Sequence, residues 1–336
     1  MIGRRRTERY RWIVLGTSIA LLAAVIGLRA YLLGREPPPP DGAGVPAPAV
    51  AAHEPPLRYP AAKRVVAIGD LHGDLAAARA AMRLAGAIDD RDRWTGGDLV
   101  VVQTGDVVDR GDDDRARVDL FARLEIEAAE AGGAFRPLIG NHELMNVGGN
   151  LRYVGGGSMG AFDDLVPGFA GLPELARYPA VQRGRIAAFR PGGPVAAILA
   201  RRNVIAIVGD TLFVHAGVLP AHVAYGLDRI NREARAYLRG EAVLEPAILK
   251  APDSPVWTRL YSFDAAPPPD ACRTLDDALA AAGAARMVVG HTVQEGGITS
   301  ACGDRVWRID TGMSAAYAGG PRAALEIAGG RVNVLR

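Results

Sequence analysis

A short polar segment at residues 105–111, which reads Gly-Asp-Val-Val-Asp-Arg-Gly, constrains this chain more than any other feature. It follows the apolar run 99–102, which is typical of a buried β-strand. Similar polar segments at residues 69–74 and 140–143 also follow apolar runs. In an open α/β sheet, ligands bind at the edge formed by the carboxyl ends of the strands. We therefore expect three strands to bring carboxylates, imidazoles and an amide to one edge, which is the composition of a metal site.

The pattern of apolar runs predicts the fold class. Strand-like runs at 63–69 and 98–104 are each followed by a helical pattern, and two such βα units imply parallel strands with helices outside. The glycine-rich residues 144–200 predict a long excursion over the active-site edge. Two apolar runs then meet at Gly209-Asp210 in the manner of a hairpin. We expect an α/β fold of the α+β type, completed by antiparallel strands of a second sheet at 304–310, 322–328 and 331–335.

Charge and composition limit the possible classes of function. The 336-residue chain is 49% hydrophobic and 23% charged, as expected for a folded protein with a sizeable core. Its net charge of +2 does not describe the rest of the chain, because residues 1–36 alone contain seven arginines and two glutamates. The remaining chain has 32 basic and 35 acidic side chains. A slightly acidic body does not supply the basic stripe that nucleic acids require, so no nucleic-acid partner is expected.

The amino terminus has the pattern of a membrane anchor. Residues 12–28 contain no charged side chain, and five arginines precede them. Extended by residues 30–33, this run predicts a single-pass helix in the cytoplasmic membrane, with the catalytic domain on the periplasmic, extracytoplasmic side. The alternative is a signal peptide whose cleavage releases a secreted protein. We assign residues 1–36 to the anchor, the proline-rich residues 37–60 to a linker and residues 61–336 to the catalytic domain.

The polar residues at the strand ends have the donor types that two metal ions require. Asp70 and His72 are two positions apart, so both can turn toward one ion, and Asp106 has two carboxylate oxygens with which to bridge two ions. An amide oxygen and two imidazoles for a second ion come from Asn141, His215 and His291. Such donors suit Mn, Fe or Zn. Two of these ions would hold a hydroxide and clamp a phosphoryl group for in-line displacement.

Three further residues have types suited to phosphoryl transfer. His142 is adjacent to a proposed ligand and is free to protonate a leaving oxygen. The Asp109 carboxylate can fix the orientation of that imidazole, and Arg110 offers a forked guanidinium for phosphate oxygens. These types predict a hydrolase, because a structural metal site needs no spare acid.

The three polar segments, followed by His215 and His291, resemble the signature blocks of the calcineurin-like metallophosphatases of the phosphoprotein phosphatase superfamily. Within that superfamily the chain is similar to the Shewanella-like protein phosphatases. The residues that carry this similarity are Asp112-Asp113-Asp114, Met145-Asn146, Arg152-Tyr153 and the Pro-Val-Trp-Thr-Arg stretch at 255–259. The Trp-Ser-Asp-Pro stretch of mainstream eukaryotic Ser/Thr phosphatases is absent from the sequence.

This resemblance implies two packed mixed β-sheets flanked by helices, a four-layer αββα sandwich with a dimetal site at the strand carboxyl ends. It implies a first metal bound by Asp70, His72 and Asp106. It implies a second metal bound by Asp106, Asn141, His215 and His291. His142 with Asp109 would be the acid pair, and Arg110 and Arg259 would be phosphate-binding arginines.

The same resemblance implies a phosphoprotein phosphatase that hydrolyses phosphomonoesters of a phosphorylated protein or peptide. Its cofactors would be two divalent ions, with manganese favoured and iron or zinc as alternatives. Two other functions remain open. One is a nucleotide or dinucleoside-polyphosphate hydrolase, which uses similar blocks. The other is a non-catalytic, membrane-anchored interaction module with structural metals.

The chain has two cysteines, Cys272 and Cys302, which lack the spacing of a zinc knuckle or a redox Cys-x-x-Cys pair. In a periplasmic body they could form a disulfide that closes a loop of about 30 residues. Two buried free thiols are an equal alternative.

Overall fold

The computed structural model describes residues 54–169 and 171–336. The predicted anchor at residues 1–36 and the linker up to residue 53 lie outside the described residues. Within the described ranges, no helix is both long and apolar enough to cross a membrane.

The described part consists of strands, α-helices and three short 3₁₀ helices. The strands are β1 Arg58–Tyr59, β2 Arg64–Ile68, β3 Val100–Gln103, β4 Ala134–Pro137, β5 Ile205–Val208, β6 Thr211–Val214, β7 Arg286–Val289, β8 Thr299–Ala301, β9 Val306–Arg308, β10 Ala324–Ala328 and β11 Arg331–Leu335. The α-helices are α1 Leu75–Leu84, α2 Asp114–Glu130, α3 Asn141–Val147, α4 Gly156–Met159, α5 Ala180–Phe189, α6 Pro194–Leu199, α7 Pro220–Tyr225, α8 Leu227–Leu238, α9 Ala247–Lys250 and α10 Pro269–Ala282. The 3₁₀ helices are Asp163–Phe169, Pro173–Arg177 and Ala315–Tyr317.

The strands form two mixed sheets, as predicted. Sheet one has the order β11-β10-β2-β3-β4, and sheet two has the order β1-β5-β6-β7-β9-β8. The predicted placement of the last strands was wrong. β10 and β11 extend sheet one, with β10 antiparallel to β2, whereas β9 lies parallel to β7 in sheet two. The alternation of apolar residues fixes which face of a strand is buried, but it does not specify the neighbouring strand or its direction.

Apolar side chains divide the molecule into four layers. Alternate residues of β2 point to opposite faces, so Val65 and Ala67 pack between the two sheets against Phe213 and Val288. On the outer face of sheet one, α1 and α2 cover the other residues of β2 and β3. On the outer face of sheet two, α8 and α10 bury the opposite side of β6 and β7. The predicted helix–sheet–sheet–helix sandwich is thus confirmed.

The residues just before the sandwich pack on it. Arg58 and Tyr59 pair in parallel with Ile207 and Val208 of β5. Oε2 of Glu54 lies 3.1 Å from Nη2 of Arg235 on α8. Residues 54–60 were assigned to the linker from their prolines, yet the main-chain groups of an edge strand can pair whatever the side chains are.

The glycine-rich excursion at residues 144–200 contains several short helices. The longest is α5, which packs against the 3₁₀ helix Asp163–Phe169. Just before that 3₁₀ helix, the Phe162 ring lies perpendicular to the Phe189 ring of α5, with the ring centroids 5.3 Å apart. Its Arg185 side chain is fully buried and points to the polar edge of the sheets. The excursion is therefore part of the site, rather than a loop that only covers it.

The two cysteines are joined in a disulfide between α10 and the turn after β8. The Cα atoms of Cys272 and Cys302 are 5.3 Å apart and 30 positions apart in sequence. The alternative of two free thiols is not what the structure shows. The bond links a helix of the outer layer to the edge strand of sheet two.

We expect the double substitution C272S/C302S to lower the free energy of unfolding by about 3–4 kcal/mol, because the open chain gains conformational entropy when the loop is released. Urea unfolding of the purified full-length protein, followed by circular dichroism, measures this loss. An equal loss caused by reductant in the wild type would assign the effect to the bond. Unchanged stability in both experiments would contradict the prediction.

Candidate active site

Six strands end at one polar edge of the sandwich. In sheet one, Ile68 pairs with Gln103 and Gln103 with Pro137, so β2, β3 and β4 end level. In sheet two, the last pairs of β6, β7 and β9 are likewise side by side. The residues that follow these six strands within a few positions are Asp70 with His72, Asp106, Asn141, His215, His291 and Asp310. The structure thus brings together all six predicted metal ligands.

The donors predicted for the second metal converge closely. Nε2 of His215 lies 2.8 Å from Oδ1 of Asn141, 3.1 Å from Nδ1 of His291 and 3.3 Å from Oδ2 of Asp106. Nδ1 of His215 lies 2.9 Å from the carbonyl oxygen of Thr104, which places its proton there. Nε2 of His215 therefore presents a lone pair toward the amide and carboxylate oxygens. Several lone pairs directed at one point indicate a site for a cation.

The donors predicted for the first metal lie around the same carboxylate. Nε2 of His72 is 3.6 Å from Oδ2 of Asp106 and 3.9 Å from Oδ2 of Asp70. Nε2 of His142 also lies 3.8 Å from Oδ2 of Asp106, so geometry alone would admit His142 as a ligand. Its other nitrogen, however, is 2.7 Å from Oδ2 of Asp109. His142 thus has one ring nitrogen on Asp109 and the other directed toward the metal donors.

The carboxylates of this cluster are crowded and buried. Burial raises the pKa of Asp70 well above its usual range, and the negative charges of Asp310 and Asp106 add to the rise. Burial likewise raises the pKa of Asp310 to about 6. For Asp106 burial acts in the same direction, but the neighbouring imidazoles, His215 foremost, hold its pKa well below its usual range. This set of buried carboxylates therefore lacks a positive charge to balance it.

The pKa values of the imidazoles shift in two directions, as expected if some rings bind metal and another acts as an acid. Burial lowers the pKa of His72 to about 3 and that of His291 to about 2, so both are neutral and offer lone pairs. Burial also disfavours the charged form of His142, but Asp106 and Asp109 outweigh it and raise its pKa. A raised pKa favours the protonated form of His142, which is the form that a general acid uses.

The donor set fits two divalent cations. Oδ1 of Asp70 is buried and has no hydrogen-bond partner among the described residues. Carboxylate, amide and neutral imidazole donors are those that Mn, Fe and Zn accept. Cations placed among these donors would supply the positive charge that the buried carboxylates lack. On this chemistry Asp70, His72 and Asp106 would hold one ion and Asp106, Asn141, His215 and His291 the other.

A buried network holds the Asp109 carboxylate toward His142. While Oδ2 faces His142, Oδ1 accepts hydrogen bonds from Nδ2 of Asn146 at 2.8 Å and from Nη2 of Arg185 at 3.0 Å. The same guanidinium nitrogen lies 2.7 Å from Oδ2 of Asp114, whose carboxylate accepts the Asp109 N–H. Arg185 is thus a buried cation between two carboxylates. With both oxygens engaged, the orientation of Asp109 is fixed.

Glu143 supports the loops that carry the ligands. One or other of its carboxylate oxygens accepts the backbone N–H groups of Asp106 at 3.0 Å, Val107 at 2.8 Å and Gly140 at 2.8 Å. Gly140 also leaves space for the Asp106 carboxylate, because a Cβ there would collide with it. This connection joins the second and third polar segments.

Several site residues have a strained backbone. His72, Asp106, Asp109, Arg110 and His291 have φ angles between 46° and 73°, in the left-handed region that side chains disfavour. Strained residues cluster at functional sites because the surrounding structure holds them there. Here the strain turns the side chains toward the shared edge.

The two predicted phosphate-binding arginines border the cluster differently. Arg110 is half-buried and contacts the rings of Tyr153 and Tyr317, whose centroids are 4.6 and 4.9 Å from its Cζ atom. Arg259 is exposed, and its Nη1 donates to the carbonyl oxygen of His291 at 2.9 Å. Both guanidinium groups therefore lie beside the proposed metal ligands.

Sequence reasoning missed some residues of the site. Asp310 had a usable signal, because it follows a strand-like run in the same way as Asp106 does. Tyr153, Asn146 and Asp114 were noted only as marks of the resemblance. Arg185 had no signal, since it is one arginine among many in an irregular helical segment. The remaining described histidine, His222, has a structural contact, since its Nδ1 accepts the N–H of Leu219 at 3.1 Å.

A model of the calcineurin-like phosphoesterase family matches residues 63–295. The chain belongs to this family. As a calcineurin-like phosphoesterase it is a metal-dependent hydrolase of phosphate esters, and the predicted kind of enzyme is confirmed at that level.

Relatives of this phosphoesterase include Shewanella-like protein phosphatase 2 of Arabidopsis thaliana, which is 40% identical over 301 residues that cover 80% of this chain and 76% of the relative. Shewanella-like protein phosphatase 1 of Plasmodium berghei is 27% identical over 260 residues, 75% of this chain and 67% of the relative. Among solved structures, a cold-active protein-tyrosine phosphatase of a psychrophilic Shewanella species matches with a TM-score of 0.66, 25% identity and coverage of 84% of this chain and 83% of that chain. These likenesses confirm the resemblance to the Shewanella-like protein phosphatases.

Proposed function

We propose that this calcineurin-like phosphoesterase hydrolyses phosphomonoesters on phosphorylated proteins, with His142 as general acid. The observation that carries the proposal is the His142–Asp109 pair, 2.7 Å apart, whose free Nε2 faces the cluster of metal donors. A structural metal site would need neither the acid nor the flanking arginines. The names of the relatives, which include protein phosphatases and a protein-tyrosine phosphatase, favour a protein substrate.

The chain's own residues provide positioning and the proton. The forked guanidinium of Arg110 would bind two phosphate oxygens, while Tyr153 and Tyr317 restrict where it can move. Arg259, anchored by the carbonyl oxygen of His291, would bind a further oxygen. When bound, two divalent ions, manganese by preference, supply Lewis-acid polarisation of the phosphoryl group and activation of water. Nε2–H of His142 donates its proton to the leaving oxygen, and Asp109 stabilises the charged ring before transfer.

We expect the purified full-length protein, supplied with Mn²⁺, to hydrolyse matched phosphotyrosine, phosphoserine and phosphothreonine peptides. Chelation should abolish this activity, because polarisation of the phosphoryl group and activation of water are then lost, and added Mn²⁺ should restore it. Phosphate release measures the rate. Hydrolysis of diadenosine tetraphosphate with no peptide turnover would move the function to nucleotide hydrolysis. No turnover of any phosphate ester would favour the interaction module.

We also propose the extracytoplasmic placement of the catalytic domain. The disulfide between Cys272 and Cys302 supports it, because such bonds persist in oxidising compartments. Protease treatment of intact spheroplasts should digest the domain if it faces outward. Protection until the membrane is permeabilised would argue against this placement.

A further inference from the structure

Two open cavities extend from the candidate active site along α3, and they meet at Gly148. The first, of about 350 Å³, is bordered by the proposed ligand Asn141 and by Arg152, Lys250 and Trp257. The second, of about 300 Å³, continues past Gly148. We call the pair the Gly148 groove. Because it begins at a metal donor, a substrate whose phosphate is at the metals can lie along it.

The groove is bordered by three cationic side chains that have no carboxylate partner among the described residues. Within residues 54–169 and 171–336, no carboxylate oxygen lies within 4 Å of the charged nitrogens of Arg152, Arg177 or Lys250, all of which border the groove. By contrast, Arg190 in the second cavity is paired with Glu174 at 2.9 Å. Three unpaired cations beside a groove are complementary to an acidic ligand.

The far wall of the groove is apolar and exposed. Val243 borders the second cavity with 92% of its surface exposed, and the adjacent Leu244 is 79% exposed. Trp257 and Tyr178 add aromatic surface at the two ends. Large exposed apolar side chains next to a groove are typical of surfaces that a polypeptide covers.

We propose that the Gly148 groove binds the segment of the substrate protein on either side of the phosphorylated residue. It selects substrates that have acidic residues next to that phosphorylated residue. The inference rests on the proposed protein-phosphatase function and names its substrate class. Arg152 and Lys250 would bind acidic side chains nearest the phosphate, and Val243 with Leu244 would contact an apolar side chain further along. Glu245 borders the first cavity, together with Arg152 and Lys250, and repels an acidic peptide. The two cations of this cavity therefore act against one opposing carboxylate.

The test compares three phosphopeptides with the same phosphorylated residue and apolar terminus, flanked on both sides by aspartate, alanine or lysine. At low ionic strength, kcat/KM of the wild type should fall in that order, with the aspartate peptide about threefold to tenfold better than the lysine peptide. Added salt should reduce the ratio, since these contacts are exposed. The substitution K250E should bring the ratio to about one or reverse it.

The chain provides a matched control, because Lys63 and Lys250 are its only lysines. Lys63 is exposed, pairs with Asp98 at 3.1 Å and precedes β2 at the opposite end of that strand from the site. K63E changes the net charge equally and should keep the wild-type ratio. Equal rates on all three peptides, or an equal effect of K63E and K250E, would overturn the groove while leaving the proposed function intact. If no peptide is hydrolysed but p-nitrophenyl phosphate or diadenosine tetraphosphate is, both proposals fail.

Discussion

The substitution H142A is expected to lower kcat by roughly 10²–10⁴-fold on a phosphoserine peptide, because the departing alkoxide then receives no proton from the enzyme. The loss on p-nitrophenyl phosphate should be much smaller, since nitrophenolate is a stable leaving group that departs without a proton. Steady-state kinetics with the two substrates at saturating Mn²⁺ measures both losses. The ratio of the losses identifies an acid, which a general structural defect would not do.

Two controls separate this role from others that His142 could have. Metal analysis of the purified H142A variant should find the same content as in the wild type, because His142 is assigned no ion. A variant that lacks one equivalent of metal would instead make His142 a ligand. H222A removes another buried imidazole, which accepts a backbone N–H near α7, and it should show no dependence on the leaving group.

The substitution R185M is expected to lower the free energy of unfolding by about 3–5 kcal/mol, because it removes the buried cation that is paired with both Asp109 and Asp114. It should also reduce turnover of the phosphoserine peptide more than turnover of p-nitrophenyl phosphate, since Asp109 would no longer be held toward His142. Chemical denaturation and the same two-substrate kinetics measure these effects. R185K should retain part of the stability and part of the phosphoserine-peptide turnover that R185M loses.

R183M is the matched variant for this experiment. Arg183 lies on the same helix, α5, but is only half-buried and donates to the carbonyl oxygens of Tyr178 and Ala176. Its loss should cost no more than about 1 kcal/mol and should leave the ratio of the two substrates unchanged. Equal effects of R183M and R185M would show that the Arg185 network positions nothing.

Local sequence pattern was sufficient for most elements of the sandwich. The strand-like run predicted at 63–69 contains β2 at Arg64–Ile68, and the helical pattern predicted after the run 98–104 corresponds to α2 at Asp114–Glu130. Apolar periodicity is a local property, and these segments show it over their whole length. The partners of β9, β10 and β11 were not predictable in this way, because pairing depends on contacts between residues far apart in the chain.

The residues of the candidate site likewise fall into those that local sequence predicts and those that depend on distant contacts. Asp70, Asp106, Asn141 and their neighbours could be named because each follows a strand within a few residues, and parallel strands necessarily end at one edge. The sequence by itself therefore determined the family, the layers and the chemical types at the strand ends. Only the tertiary structure decided that Arg185 reaches Asp109, that Asp310 joins the cluster and that two cavities meet at Gly148. Each of these depends on how the excursion and the last strands pack, which is set by the sum of many distant contacts rather than by any local pattern.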